Sequence, residues 1–314
     1  MAGVTRSCEI AGYGSYLPPH QVTYGSHVRH RIADDVSLLD MLEAAAVEAI
    51  AHAGLSADDI DCVIGASAAG VQPIPCTAAL VQERLAPRGA TAAFDVNSTC
   101  TSFITAVDIA SRYIADGEYK RILIVSGDVG SRFLNPDQKE SVELFSDAAV
   151  AIVLTATDDP DKGVIASLQQ TWAAYAHVTE VRGGLAGIAP QLYPHRDPAD
   201  YLFDMDGRAA LLGIIRVLPG FFKRFYDRSG LDIDQIDLVI PHQASRALPL
   251  AMRRIGIPED KFVDDVERWG NMVSASVPFI LVDQLRQGRI GAGDTVLLCG
   301  TAAGMTANAL ALRL

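Results

Sequence analysis

Apolar residues recur along this chain with two alternating periods. From Ser37 to Ala53 the positions Leu38, Leu39, Leu42, Ala45, Ala46, Ala49 and Ile50 share one face of a 3.6-residue helix. Gly54 follows, where a helix end needs a residue tolerant of a left-handed backbone. Ser7 to Tyr16 alternates loosely and closes on Leu17-Pro18-Pro19, which reads as a strand and then an extended connection that the prolines keep from becoming helix. Ile60 to Ala66 is a short apolar strand, and after a loop punctuated by Gly and Pro a second helix is expected near Cys76 to Leu85. The order β-α-β-α predicts an α/β protein.

The pattern then returns. Gly54-Leu55-Ser56-Ala57-Asp58-Asp59-Ile60-Asp61-Cys62-Val63-Ile64 is answered by Gly230-Leu231-Asp232-Ile233-Asp234-Gln235-Ile236-Asp237-Leu238-Val239-Ile240. Helix then strand from Cys100 to Asp128 is answered by Ala275 to Thr301, and the apolar runs Ala148 to Leu154 and Ala307 to Leu312 close the two halves. A period this long excludes a solenoid and predicts two similar α/β halves, their strands covered by helices on both faces. The expected division is an N-terminal half over residues 1–170, an inserted segment over 171–204 rich in Gly, Pro, Tyr and His, and a C-terminal half over 205–314. Such an insertion is the usual place for substrate selection.

Composition narrows the classes. A chain of 314 residues, 49% hydrophobic and 20% charged, is long and apolar enough for two packed halves. Five cysteines without a CxxC pair argue against a disulfide framework or structural zinc and favour a reducing cytoplasm; no metal or other cofactor is expected. No basic-then-apolar leader and no apolar run of about 18 residues is present, so a soluble protein away from membranes is expected. A net charge of −12 makes the whole chain a poor ligand for nucleic acid.

The candidate chemistry begins at Phe94-Asp95-Val96-Asn97-Ser98-Thr99-Cys100-Thr101-Ser102-Phe103, where an apolar strand runs into a helix opened by small hydroxyl residues. Cys100 would sit at a helix N-terminus, where unpaired N–H groups and the macrodipole push a thiol towards thiolate; the alternative is a small buried hydrophobe. In the second half, His242 follows the strand Asp237 to Ile240 within Pro241-His242-Gln243-Ala244-Ser245, at the strand end where open α/β sheets keep their ligands. A structural histidine is the alternative. Asn271, in Trp269-Gly270-Asn271-Met272-Val273-Ser274, stands roughly at the corresponding helix entrance, with an N-cap as its plainer role. Pseudo-symmetry brings Cys100, His242 and Asn271 towards one cleft.

With Leu144-Phe145-Ser146-Asp147-Ala148-Ala149, Ser274-Ala275-Ser276-Val277-Pro278 and Gly304-Met305-Thr306, these motifs resemble the β-ketoacyl-acyl-carrier-protein synthase III family of thiolase-like condensing enzymes, over most of the chain. The resemblance implies a duplicated five-layer α-β-α-β-α fold and a cytoplasmic homodimer. It implies decarboxylative condensation of an acyl thioester, bound to coenzyme A or a carrier, with malonyl-acyl carrier protein. Cys100 would carry the acyl group, and His242 and Asn271 would donate hydrogen bonds to the enolate. The backbone N–H of Cys100 and one from the turn at Ala303 and Gly304 would meet the tetrahedral oxyanion. Thiolases carry a second catalytic cysteine near the C-terminus, whereas Cys299 lies in an expected strand. Acyl transfer or thioester hydrolysis without decarboxylation is an alternative on the same residues. So is a non-catalytic subunit of a condensing heterodimer, against which the intact cysteine argues.

Departures from the family lie near the substrate end. The segment from Tyr16 to Ser37 is shorter than expected and lacks the Trp and Arg that clasp coenzyme A adenine, leaving Arg29, His30 and Arg31. Ala302, Ala303 and Asn308 stand where glycines are usual, and Lys139 stands near a usual arginine. The basic group Arg246, Arg253 and Arg254 is unusual in an acidic protein. Arg246 and Arg253, seven apart, are expected on one helical face, as a landing site for an acidic carrier or as an ordinary solvated surface.

Overall fold

A computed structural model describes residues 3–86 and 88–314. The chain opens with β1 (Arg6–Ser7) and β2 (Glu9–Tyr16), then a small hairpin of β3 (Gln21–Tyr24) and β4 (His27–His30) turning at Gly25. There follow α1 (Leu38–His52), β5 (Cys62–Gly65), α2 (Thr77–Leu85), β6 (Ala92–Asp95), α3 (Ser102–Ala115), β7 (Arg121–Asp128), α4 (Lys139–Leu144), β8 (Ala148–Thr155) and β9 (Gly163–Thr171). The two-residue ladder of β10 (Thr179–Glu180) with β11 (Asp204–Met205) brackets the inserted segment, which Arg182 pins through Glu180, Asp200 and Asp204. The second half comprises α5 (Gly207–Ser229), β12 (Leu238–Pro241), α6 (Leu248–Arg254), α7 (Val266–Trp269), α8 (Ser276–Arg286), β13 (Thr295–Ala302) and β14 (Thr306–Arg313).

Local signals account for the principal helix ends. Ser37 and Asp40 form a reciprocal capping box at the start of α1, the Ser37 hydroxyl accepting the Asp40 N–H at 3.1 Å and the Asp40 carboxylate accepting the Ser37 N–H at 2.8 Å. Gly54 and Gly230, the first residues of the sequence repeat, both adopt the left-handed conformation that follows a helix, at φ 68° and 66°.

Two five-stranded sheets run in the orders β2-β8-β7-β5-β6 and β1-β9-β14-β13-β12. Their centres are equivalent: β5 lies parallel to β7 as β12 does to β13, and β7 and β13 each pair antiparallel with the next long strand. Strand alternation then builds the layers. Ile122 and Ile124 of β7 face a middle layer holding α3 and α8, while Leu123 and Val125 face α1 and α2. Val296 and Leu298 of β13 face the same middle layer, and Leu297 and Cys299 lie under α5 and α6. Each fully buried aliphatic side chain contributes roughly 1.5–3 kcal/mol. The result is the expected α-β-α-β-α stack.

The sheets do not divide where the chain was divided. β9 pairs along its length with β14, and β1 pairs with β9, so both belong to the second sheet although they lie within residues 1–170. The backbone crosses between sheets after β8, and the boundary at 170 falls inside β9. Among the described residues no helix is long and apolar enough to cross a membrane.

The first sheet takes α1 at unusually close range. A Cβ on Gly12 would lie 2.2 Å from the Ala49 carbonyl oxygen, and one on Gly14 would lie 2.3 Å from that of Ala45. Both obstacles are backbone and cannot swing aside. Gly14→Ala should therefore cost about 2 kcal/mol or more in urea unfolding. Gly291→Ala, whose Cβ meets no atom within 4 Å, should leave the midpoint nearly unchanged.

Candidate active site

Cys100 lies in a single 3-10 turn, Thr99–Thr101, that leads directly into α3. The turn is built by small polar side chains. Asn97 Oδ1 accepts the Thr99 N–H at 2.8 Å, Thr99 takes φ 51°, and Ser102 Oγ accepts the Ser98 N–H at 3.0 Å. The second half builds the same turn before α8. Asn271 Oδ1 accepts the Val273 N–H at 2.8 Å, Val273 takes φ 54°, and Ser276 Oγ accepts the Met272 N–H at 2.9 Å. Asn271 is thus the counterpart of Asn97, and Cys100 that of Ser274. The sequence repeat, aligned on Cys100 and Ala275, is one residue out at this point. The two turns pack against one another.

His242 follows β12, its N–H donating to the Cys299 carbonyl at 2.8 Å. Gly300 shows how near the imidazole is to the cysteine turn: a Cβ there would stand 2.7 Å from His242 Cβ and 3.3 Å from Thr101 Cγ2. Gln243, also buried, fixes the backbone beyond His242. Its amide donates to the carbonyls of Pro241 and Val263 and accepts the Asp265 N–H, all at 2.8–3.1 Å. Asn271 joins this group by donating through Nδ2 to the Ala244 carbonyl at 3.2 Å. With Oδ1 held by Val273, its amide orientation is fixed and one N–H is left free. The structure therefore gathers Cys100, His242 and Asn271 on the seam between the halves.

The electrostatics depart from expectation at the cysteine. Burial, and after it the nearby Asp128 carboxylate, push the Cys100 thiol up to about 12, outweighing the backbone amides of Cys100 and Ala303, which favour thiolate. A helix N-terminus does not by itself deliver a resting thiolate here. His242 is pulled down to about 4 by burial, and its Nδ1 makes no hydrogen bond within the protein. Both groups rest neutral at pH 7. The imidazole also borders an apolar cavity of about 50 Å³ between α5 and α6, lined by Ile214, Leu218, Leu248 and Met252.

Two residues central to this arrangement were not singled out in the sequence. Asp128, at the end of β7, accepts the N–H groups of Ala68 and Ala69 at 3.1 and 3.0 Å, the Ser274 N–H at 3.2 Å and the Ser274 hydroxyl. Burial raises its pKa and these donors oppose the shift. Ser274 could have been found by aligning Asn97 with Asn271, since the spacing Asn-x-x-x-x-Ser occurs in both turns; an isolated acid at a strand end gave no comparable signal.

Other expected positions fall differently. Ala303 supplies the N–H near the sulphur, whereas Gly304 at φ 82° shapes the turn. Asn308 is buried and donates to Thr105 on α3 at 2.9 Å. Arg29 and His30 of β4 and Arg31 just after it are buried, the two guanidinium groups turned onto backbone carbonyls rather than outward to clasp an adenine. Arg246 and Arg253 do not share a helix: α6 begins only at Leu248, and Arg246 lies in the preceding turn, where Ser245 Oγ accepts the Ala247 N–H. Arg246 pairs with Glu267 at 3.0 Å and Arg253 with Glu259 at 3.0 Å, while Arg254 makes no ion pair among the described residues.

The Cys100 turn and its copy pack together between two five-stranded sheets with equivalent centres, and this layered duplicated fold is that of the thiolase-like condensing enzymes. Comparison with known proteins narrows the class. Residues 94–172 match the family model for 3-oxoacyl-[acyl-carrier-protein] synthase III, and residues 226–314 match the model for its C-terminal part, together more than half of the chain. The chain belongs to the 3-oxoacyl-[acyl-carrier-protein] synthase III family. Similar solved structures include that enzyme from Aquifex aeolicus VF5, with 26% identity, TM-score 0.86 and coverage of 98% of this chain and 100% of the other. The enzyme from Pseudomonas aeruginosa PAO1 has 28% identity, TM-score 0.85 and 98% coverage of both chains. OleA from Xanthomonas campestris shares the fold at 21% identity and TM-score 0.83, covering 98% of this chain and 99% of its own.

A thiol held near 12 makes a direct prediction. Alkylation of Cys100 by iodoacetamide should keep accelerating with pH and show no plateau below about pH 10. A plateau near neutrality, followed by mass spectrometry of the labelled peptide, would identify a resting thiolate instead.

Proposed function

We propose that this protein performs decarboxylative condensation of an acyl thioester with a malonyl thioester on acyl carrier protein. The observation that supports this reading is that Cys100, His242 and Asn271 meet on one seam, with the Ala303 turn against the Cys100 turn, where Thr99 Oγ1 donates to the Ala303 carbonyl at 3.4 Å. In loading, Cys100 attacks the acyl carbonyl, the bond to the departing thiol breaks, and the Cys100 proton passes by way of neutral His242 to the leaving thiolate. In the second half-reaction the malonyl carboxylate leaves as carbon dioxide. Its bonding pair becomes an enolate, whose oxygen accepts hydrogen bonds from His242 and from the free N–H of Asn271. The enolate carbon attacks the acyl-enzyme, the oxyanion forms between Cys100 and Ala303, and collapse expels the Cys100 thiolate, which recovers a proton.

A neutral imidazole supports the donor role. The depression of His242 to about 4 keeps it uncharged through the physiological range, so it offers one N–H without drawing a counterion into the cleft. Low pH should therefore act through stability. The unfolded histidine binds its proton near 6.5 and the folded one only near 4, so stability falls as pH drops across that interval.

The partners in this reading are an acyl primer, a malonyl carrier and a second copy of the chain, working in the cytoplasm. The primer is held through its acyl and pantetheine portions, because Arg29 and Arg31 are committed to the interior. Loading from a truncated pantetheine thioester should then match loading from the full coenzyme A thioester. An acidic carrier meets Arg254 unpaired and must compete with Glu267 for Arg246. Charge reversal at Arg246 and Arg254 should raise KM for carrier-bound malonate in a salt-dependent way and leave loading from a small thioester unchanged.

The decisive test separates the half-reactions. Cys100→Ser should abolish covalent loading of a labelled acyl group, detected by intact mass. His242→Ala and Asn271→Ala should still load slowly and lose carbon dioxide release by about 100-fold or more. Loading on another cysteine, or decarboxylation that survives both substitutions, would overturn the assignment.

A further inference from the structure

Arg29 is wholly buried and is the largest fully buried side chain of the protein. A guanidinium in that position is costly, because burying a charge without a hydrogen-bonded counterion forfeits its hydration. Among the described residues no carboxylate reaches it by hydrogen bond. It is held by backbone carbonyls: Nε donates to Glu143 at 2.7 Å, and Nη1 donates to Val28 at 2.9 Å and to Glu267 at 3.0 Å. The Glu267 carboxylate is engaged elsewhere, with His27 at 2.6 Å and Arg246 at 3.0 Å, and steadies the guanidinium charge only from a distance.

The two distant carbonyls are informative. Glu143 lies in the last turn of α4 and Glu267 lies in α7, and the residues just beyond them pair in a short parallel bridge between Phe145 and Asn271. In that bridge the Asn271 N–H donates to the Leu144 carbonyl at 2.9 Å, and the Ser146 N–H donates to the Asn271 carbonyl at 2.8 Å. Arg29 thus spans both segments immediately before they meet at Asn271. It also packs against the preceding residue: a Cβ on Gly270 would lie 2.9 Å from Arg29 Cδ and from Nε.

We propose that Arg29 is a positioning residue for Asn271, setting the place of the amide that serves the decarboxylation half-reaction. The proposal rests on the function proposed above. A planar fork that reaches two carbonyls at once has no substitute in lysine, whose single ammonium sits on a flexible stem. The Cys100 turn and Ala303 receive none of the Arg29 hydrogen bonds, so loading does not depend on it.

The experiment measures the two half-reactions separately in Arg29→Lys, Asn271→Ala and the double variant, with thermal melts of each. Arg29→Lys should load the acyl group at close to the wild-type rate and release carbon dioxide about 100-fold more slowly, the scale expected of a group displaced by about 1 Å. In the Asn271→Ala background, Arg29→Lys should lower decarboxylation no further, because it acts through the amide already removed. Equal loss of both half-reactions, or additive loss in the double variant, would show a merely structural arginine and overturn the proposal. If Arg29→Lys does not fold, Arg29→Gln is measured in the same way, and failure of both to fold also overturns it. A wild-type protein that neither loads nor decarboxylates, or an Asn271→Ala variant with unaltered decarboxylation, would defeat the functional reading itself and is recognisable without any Arg29 variant.

Discussion

One buried carboxylate holds the two halves of this molecule in register. Asp128 ends a central strand of the first sheet and receives two N–H groups from the loop after β5 and two donors from Ser274 of the second half. Without it the buried N–H and hydroxyl of Ser274 would be orphaned, each at a cost of about 1–3 kcal/mol, and the loop N–H groups of Ala68 and Ala69 would lose their acceptor. The loop it fastens in turn carries the Ala68 carbonyl that accepts Asn97 Nδ2 at 2.8 Å, and Asn97 opens the turn that presents Cys100. The position of Cys100 is therefore determined through a chain of hydrogen bonds that begins at the opposite half.

That arrangement has an electrostatic consequence. A carboxylate close enough to organise the cysteine turn also opposes a negative sulphur, and the two N–H groups at Cys100 do not compensate for it at rest. Stability of the scaffold and reactivity of the free thiol pull against each other here, and the fold favours the scaffold.

The architecture was legible in the sequence because it is written twice. The glycine-led repeat at Gly54 and Gly230, the apolar strands and the helix of Leu38 to Ala53 follow from local periodicity and backbone preference, which do not depend on distant contacts. Cys100 and His242 could be placed because each follows a short apolar strand, and Asn271 because it stands at the entrance of α8, opposite the Cys100 turn. What escaped was tertiary in origin. β9 looks like the end of the first half until its partner β14 is known. Arg29 looks like a surface cation beside Arg31 until α4 and α7 close over it. Arg246 reads as helical by spacing, yet the helix starts later, with Pro249 in its first turn. Charged residues carry no sequence mark that separates a solvated face from a buried clamp.

The twin of Cys100 is Ser274, and the contrast between their surroundings says something about ancestry. The two turns share backbone form and packing, so an unmodified duplication would give two equivalent turns across a pseudo-dyad. In the present chain the Cys100 turn packs against the Ala303 turn, while Ser274 has its hydroxyl tied down by Asp128. The position matching Asp128 in the second half is Ala302, at the end of the equivalent strand. A single acid, present at one strand end and absent at the other, thus breaks the symmetry of a duplicated gene product. It makes the Ser274 turn a buttress for the Cys100 turn.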